Sequence, residues 1–130
     1  MARDESGAIQ PPLVAVVDDD ESVRESLPDL LGEFGFRSQV FSSAEEFLAS
    51  DSISQMRCLI LDIAMPGMTG FDLQQRLQVH SRNIPVVFIT AQKDEQVRKR
   101  ALERGAVAFL LKPFSDTALL KALNAALGLD

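Results

Sequence analysis

A chain of 130 residues with a formal net charge of −6 has the length of one domain, and its acidic balance argues against gripping nucleic-acid phosphates by itself, which needs clustered cations. With 46% hydrophobic and 25% charged residues it reads as globular, and no apolar run approaches the roughly 18 residues of a membrane span. Met1–Pro12, carrying Arg3, Asp4 and Glu5, has no apolar stretch of the export type, so no membrane contact and a cytoplasmic location are expected.

Residues 1–12, ending in Pro11-Pro12, read as a flexible tail, leaving residues 13–130 as the domain. From Leu13 onward five apolar runs alternate with segments of helical spacing, the pattern of an α/β domain with a mainly parallel sheet. The first run, Leu13–Val17, is continuous, as in a strand covered on both faces. Val23, Leu27, Leu30, Leu31 and Phe34 then form one helical stripe, which Gly35 can end and Pro28 is expected to bend. Arg37–Phe41 is mixed and polar, which suits a sheet edge. Ser43 followed by Glu46 has capping-box spacing and opens a short helix that buries Ala44, Phe47 and Leu48.

Cys58–Leu61 predicts the third strand; its lone cysteine is expected to pack as a small hydrophobe. A helix beginning at Thr69 or Gly70 buries Leu73 and Leu77 and ends before Pro85, and His80 near its exposed end has no assigned role. Val86–Ile89 is the fourth strand, followed by a helix from Asp94 to Arg104 that stops at Gly105. Val107–Leu111 is the fifth, after which Ser115 caps a helix burying Leu119, Leu120, Leu123 and Leu127.

The right-handed crossover rule and the polar second strand favour a flavodoxin-like, doubly wound, five-stranded parallel sheet in the order 2-1-3-4-5 with five helices. Ligands of such sheets bind beyond the carboxyl ends of the strands. Asp18, Asp19 and Asp20 follow the first strand, Asp62 the third, Thr90 the fourth and Lys112 the fifth. Several carboxylates converging in one cleft repel each other, and a hard divalent cation bound through oxygen is the ordinary remedy, with magnesium the natural candidate and manganese its substitute. The alternative is that these acids cap helices and face water, a role that suits Asp20 and Glu21. Lys112 supplies the missing cation for the cluster or for a bound phosphoryl group, and Lys112–Pro113 is the bond type in which a cis turn, a minority state, would aim the lysine inward. Thr90 offers a hydroxyl, although a β-branched residue ending a strand is ordinary by itself. Together these groups suit phosphoryl transfer to a carboxylate, with the metal and lysine neutralising the transferred charge.

Val17-Asp18-Asp19-Asp20, Leu61-Asp62-Ile63-Ala64-Met65-Pro66-Gly67-Met68-Thr69-Gly70, Ile89-Thr90-Ala91 and Leu111-Lys112-Pro113-Phe114 occur in that order, each at a strand end. Over about Leu13 to Leu127 the chain resembles the receiver domain of bacterial two-component response regulators. That resemblance implies Asp62 as phosphoacceptor, Asp19 as direct magnesium ligand, Asp18 as ligand through water, and Ala64 as ligand through its backbone carbonyl. It further implies Thr90 as the switch hydroxyl, Lys112 as the phosphoryl-contacting lysine, and Phe109 as the aromatic rotamer switch. Many members have tyrosine at this last position, so here the switch would work through packing alone. The clusters Asp62-Ile-Ala-Met-Pro and Ser43-Ala-Glu-Glu-Phe-Leu look closest to receivers joined to helix-turn-helix regulators of the nitrogen-fixation and nitrate-response type.

The implied function is a switch in a phosphorelay, catalysing only its own phosphotransfer and dephosphorylation. Its implied partners are a sensor histidine kinase or phosphotransfer protein and an output domain, an output protein or a second copy of itself. The face formed by helix four, strand five and helix five, with Lys93, Arg98, Lys99, Arg100 and Arg104 amid Glu95 and Glu103, is where such a partner would dock, although the same mixed charges also suit an ordinary solvated helix surface. Two rivals stand beside this reading. A phosphohydrolase of the haloacid-dehalogenase-like type places a second acid two residues after its nucleophile, where this chain has Ala64. A degenerate receiver used as a constitutive binding module loses an acid, the threonine or the lysine, and all are present.

Overall fold

The computed structural model describes residues 10–80 and 82–129, so residues 1–9 of the expected tail lie outside the described residues. The chain runs β1 (Leu13–Val17), α1 (Glu21–Glu33), β2 (Arg37–Phe41), α2 (Ala44–Leu48), a 3-10 turn (Ile53–Gln55) and β3 (Met56–Asp62). It continues through α3 (Gly70–Val79), β4 (Val86–Thr90), α4 (Glu95–Glu103), β5 (Ala108–Leu111) and α5 (Asp116–Leu127). All strand pairs are parallel and the order is β2-β1-β3-β4-β5, the topology expected from the crossover rule. Pro11 and Pro12, at the end of the expected tail, are tied to the edge strand: their carbonyls accept from Arg37 Nε and Arg37 N, each at 2.9 Å.

β1, β3 and β4 lie inside the sheet with both faces covered, which is why their sequences are nearly unbroken apolar runs. β2 alternates exposed and partly buried positions before Phe41, as an edge strand should. Alternate side chains divide between two cores. Leu13, Ala15, Val17, Leu59, Leu61 and Phe88 pack with Phe47, Phe71, Leu73, Leu77 and Ala101 of α2, α3 and α4. Val14, Val16, Cys58, Ile60, Val87 and Ile89 pack with Leu27 and Leu31 of α1 and Leu119 and Leu123 of α5. Burial within the second core pushes the Cys58 thiol up to about 12, so it stays protonated and unreactive.

Local chemistry sets the helix limits. α1 continues past Pro28, its buried Leu27 and Leu31 anchoring the chain on either side, and Gly35 at φ 89 turns the chain so that Phe36 N donates to Leu31 O at 2.9 Å. At α2 only half of the expected capping box forms: Ser43 Oγ accepts from Glu46 N at 3.0 Å, while the Glu46 carboxylate turns to Ser42 Oγ at 2.7 Å. The complete box stands at α3, between Thr69 and Asp72, and its hydrogen bonds hold the Asp72 carboxyl below the usual range.

The expected mixed-charge face of α4 divides. Glu95–Arg98 and Lys99–Glu103 are exposed pairs at 4.0 Å, whereas Arg100 and Arg104 turn toward α3 and stack over the Phe71 ring, 4.5 and 5.3 Å from its centre. These two arginines therefore belong to the α3–α4 joint rather than to the face shared with β5 and α5, because the π-face of Phe71 attracts them there. No helix among the described residues is long and apolar enough to cross a membrane.

Candidate functional site

The connections leave β1 toward β2 on one side and β3 on the other, opening a crevice above the carboxyl ends of β1 and β3. Asp18 follows β1, Asp62 is the last residue of β3, Thr90 the last of β4, and Lys112 follows β5. The parallel register brings all four to one rim. One carboxylate oxygen each from Asp18, Asp19 and Asp62 lies within 4.8 Å of the others. Lys112 Nζ stands 2.7 Å from Asp18 Oδ2 and 3.8 Å from Asp62 Oδ2.

Backbone and side chain both hold Asp18, which is 0% exposed. Its N donates to Phe41 O at 3.1 Å, its Oδ1 accepts from Asp20 N at 2.9 Å, and its carbonyl accepts from Arg24 Nη1 at 3.0 Å. Asp20 itself caps α1, accepting from Ser22 N at 2.9 Å, so it has the structural role that the sequence allowed for it. Asp19 is exposed beside the two buried acids.

Electrostatics follow from this crowding. Burial, followed by the charge of Asp18, pushes the Asp62 carboxyl up to about 7 against the opposing pull of Lys112 and the Ala64 N–H. Burial alone would lower the Lys112 ammonium, but its close contact with the Asp18 carboxylate and the charges of Asp62 and Asp18 outweigh it and raise the group. The fit to a hard cation is chemical as well as geometric: the donor set is all oxygen, and among the described residues buried Asp18 Oδ2 accepts no well-directed hydrogen bond and rests against the Lys112 charge.

The remaining predicted residues divide between this rim and β5. Thr90 is buried and its Oγ1 accepts from Gln92 N at 3.2 Å, while its carbonyl accepts from Lys112 N at 2.8 Å. Ala64 is exposed in the loop after β3. Lys112–Pro113 is cis. Phe109 is half-buried on β5 and lines a groove of about 310 Å³ that Lys93, Arg98, Leu111 and Phe114 share and that Asp18, Asp19 and Asp62 do not line.

Two contacts were not read from the sequence. Arg24 reaches back from the first turns of α1 to Asp18, and only its place on a helix opening next to the acids hints at this. Gly70 lets α3 start against the end of β3: a Cβ there would stand 2.5 Å from Asp62 O and 2.9 Å from Ile63 Cα. The glycine lies within the quoted stretch Leu61–Gly70, but its contact required coordinates.

Comparison with known proteins identifies the family and the fold. The family described as "Response regulator receiver domain" matches residues 14–124. The chain is 40% identical over 117 residues to the transcriptional regulatory protein TdiR of Thauera aromatica, covering 90% of this chain and 52% of TdiR. It therefore spans about half the length of that curated relative. Among solved structures, the response regulator StyR superposes with a TM-score of 0.84 at 48% identity, over 92% of this chain and 60% of StyR. FixJ-N superposes with a TM-score of 0.81 at 38% identity, over 92% of this chain and 96% of that one.

Proposed function

Because the chain belongs to the response-regulator receiver family, we propose that it is a signalling switch that accepts a phosphoryl group on Asp62 with Mg2+ and thereby changes its affinity for an output partner. The observation that carries the proposal is the gathering of Asp18, Asp19, Asp62 and Lys112 at one rim. The donor is a phosphohistidine on a sensor kinase or phosphotransfer protein, or a small acyl phosphate. An oxygen of the Asp62 carboxylate bonds to phosphorus as the donor's P–N or P–O bond breaks, and the leaving imidazole or carboxylate takes the bonding pair.

Asp18, Asp19, Asp62 and the Ala64 carbonyl would hold the cation, Asp18 through water. When bound, Mg2+ supplies positive charge to offset the crowded acids and the transferred group. Lys112 turns part of its charge from Asp18 to a phosphoryl oxygen. Thr90 gives up its bond from Gln92 N and donates its hydroxyl to another phosphoryl oxygen, leaving space into which Phe109 rotates. The groove bordered by α4, β5 and α5 then changes shape and presents a different surface to an output domain, an output protein or a second copy. The domain catalyses its own phosphorylation and dephosphorylation and turns over no external substrate. Relatives named as transcriptional regulatory proteins support an output in transcription and a cytoplasmic place of work, with DNA contact made outside this domain.

Intact-mass measurement after incubation with acetyl phosphate and Mg2+ tests the proposal. Wild type is expected to gain one phosphoryl group and Asp62→Asn none; equal adducts on both would move the acceptor elsewhere.

A further inference from the structure

We propose that Arg24 is a positioning residue for this site, its guanidinium fixing the backbone of Asp18 so that the Asp18 carboxylate stays turned inward when Lys112 moves to a phosphoryl group. The inference rests on the reading of the rim given above and adds to it a residue outside the acidic cluster. Asp18 is wholly buried just beyond the end of β1, so its carbonyl needs a partner from within the protein, and Arg24 Nη1 provides it at 3.0 Å. Three groups hold the carboxylate and the carbonyl of this residue: Asp20 N at Oδ1, Lys112 at Oδ2 and Arg24 at the carbonyl. Lys112 is shared with Asp62 at 3.8 Å, and phosphoryl transfer draws it further that way. Oδ2 has no well-directed hydrogen bond to replace it, so the orientation of Asp18 then depends on the other two contacts.

Arginine suits that duty better than any other cation. Its guanidinium is planar, stays charged at all working pH values, and donates in fixed directions. Bound to a carbonyl rather than a carboxylate, it adds positive charge beside Asp18 without occupying a carboxylate oxygen that a cation needs. It is half-buried, so that charge is screened less than a surface arginine's.

A structural tether and a positioning residue are separated by a matched control. Arg37 makes the same kind of bond, Nε to the Pro11 carbonyl at 2.9 Å, at the opposite end of the sheet. The full chain would be compared as wild type, Arg24→Met, Arg24→Lys and Arg37→Met. Since it contains no Trp and no Tyr, Mg2+ affinity is read by isothermal titration calorimetry, beryllofluoride binding by fluorine NMR, and folding by Tm. Arg24→Met is expected to weaken Mg2+ binding about tenfold, in the range for groups that orient metal ligands, and to weaken the beryllofluoride adduct with it. Arg24→Lys should recover part of that loss, and Arg37→Met should lower Tm alone. Wild-type Mg2+ affinity in Arg24→Met, or in Arg24→Lys should the methionine variant fail to fold, would overturn the assignment. So would a loss of affinity in Arg37→Met as large as that in the Arg24 variants. A wild-type chain that binds neither Mg2+ nor beryllofluoride would overturn the reading of the rim itself, and the role of Arg24 with it.

Discussion

Lys112 Nζ stands 2.7 Å from Asp18 Oδ2, and that oxygen takes no well-directed hydrogen bond from any other group among the described residues. The lysine is thus a structural counter-ion in addition to the phosphoryl contact proposed for it. Removing one partner of a buried pair leaves the other uncompensated, so Lys112→Met should cost about 3 kcal/mol in urea unfolding at pH 8 without divalent cations. An unchanged unfolding midpoint would mean that the cluster is solvated well enough not to need the lysine.

The pH dependence has a definite sign. Asp62 titrates at about 7 in the fold against 3.8 ordinarily, so the folded state keeps this proton longer than the unfolded chain does. The resulting penalty is absent below the unfolded value, grows through the interval, and is complete above the folded one. Without metal, stability should therefore fall between pH 5 and pH 8 in wild type, and Asp62→Asn should be more stable at pH 8 by on the order of 3 kcal/mol. Urea unfolding at the two pH values decides this, and an equal slope in both proteins would contradict the assignment of the raised group.

Gly70 and Gly32 should respond oppositely to alanine. At Gly70 the new Cβ meets Asp62 O and Ile63 Cα, backbone atoms that cannot swing aside, and overpacking of this kind costs about 2–3 kcal/mol. At Gly32, inside α1, nothing lies within 4 Å and alanine should add about 0.5 kcal/mol through better helix propensity. Thermal unfolding of both variants checks the pair. Neutrality at Gly70 would show that the spacing of α3 against β3 is looser than described, and destabilisation at Gly32 that α1 is packed more closely there than described.

The stacking of Arg100 on Phe71 should appear as a coupling. A double-mutant cycle of Arg100→Met and Phe71→Leu is expected to give an interaction of about 0.5–1 kcal/mol, since the arginine is exposed on one side. Strict additivity would reduce the contact to coincidence.

What the sequence revealed was whatever depends on period and order. Continuous apolar strands, a polar edge strand, and helices opened by Ser43, Asp94 or Ser115 are local patterns, and chain order with crossover handedness then carries Asp18, Asp62, Thr90 and Lys112 to one rim. Contacts made by long side chains across elements were not legible. Arg100 and Arg104 look like any charged helix surface until Phe71 is seen beneath them, and Glu46 has capping-box spacing yet finds Ser42 closer. Arg24 belongs to the same class, because a guanidinium reaching six residues back leaves no periodic trace.

The central claim is the identity of the acceptor, and borohydride reduction addresses it directly, since hydride converts an aspartyl phosphate to homoserine while leaving free carboxylates untouched. After treatment with acetyl phosphate and Mg2+, reduction and peptide mapping, the account predicts homoserine at position 62 and unmodified Asp18 and Asp19. Homoserine at position 18 or 19, or at none of the three, would contradict it.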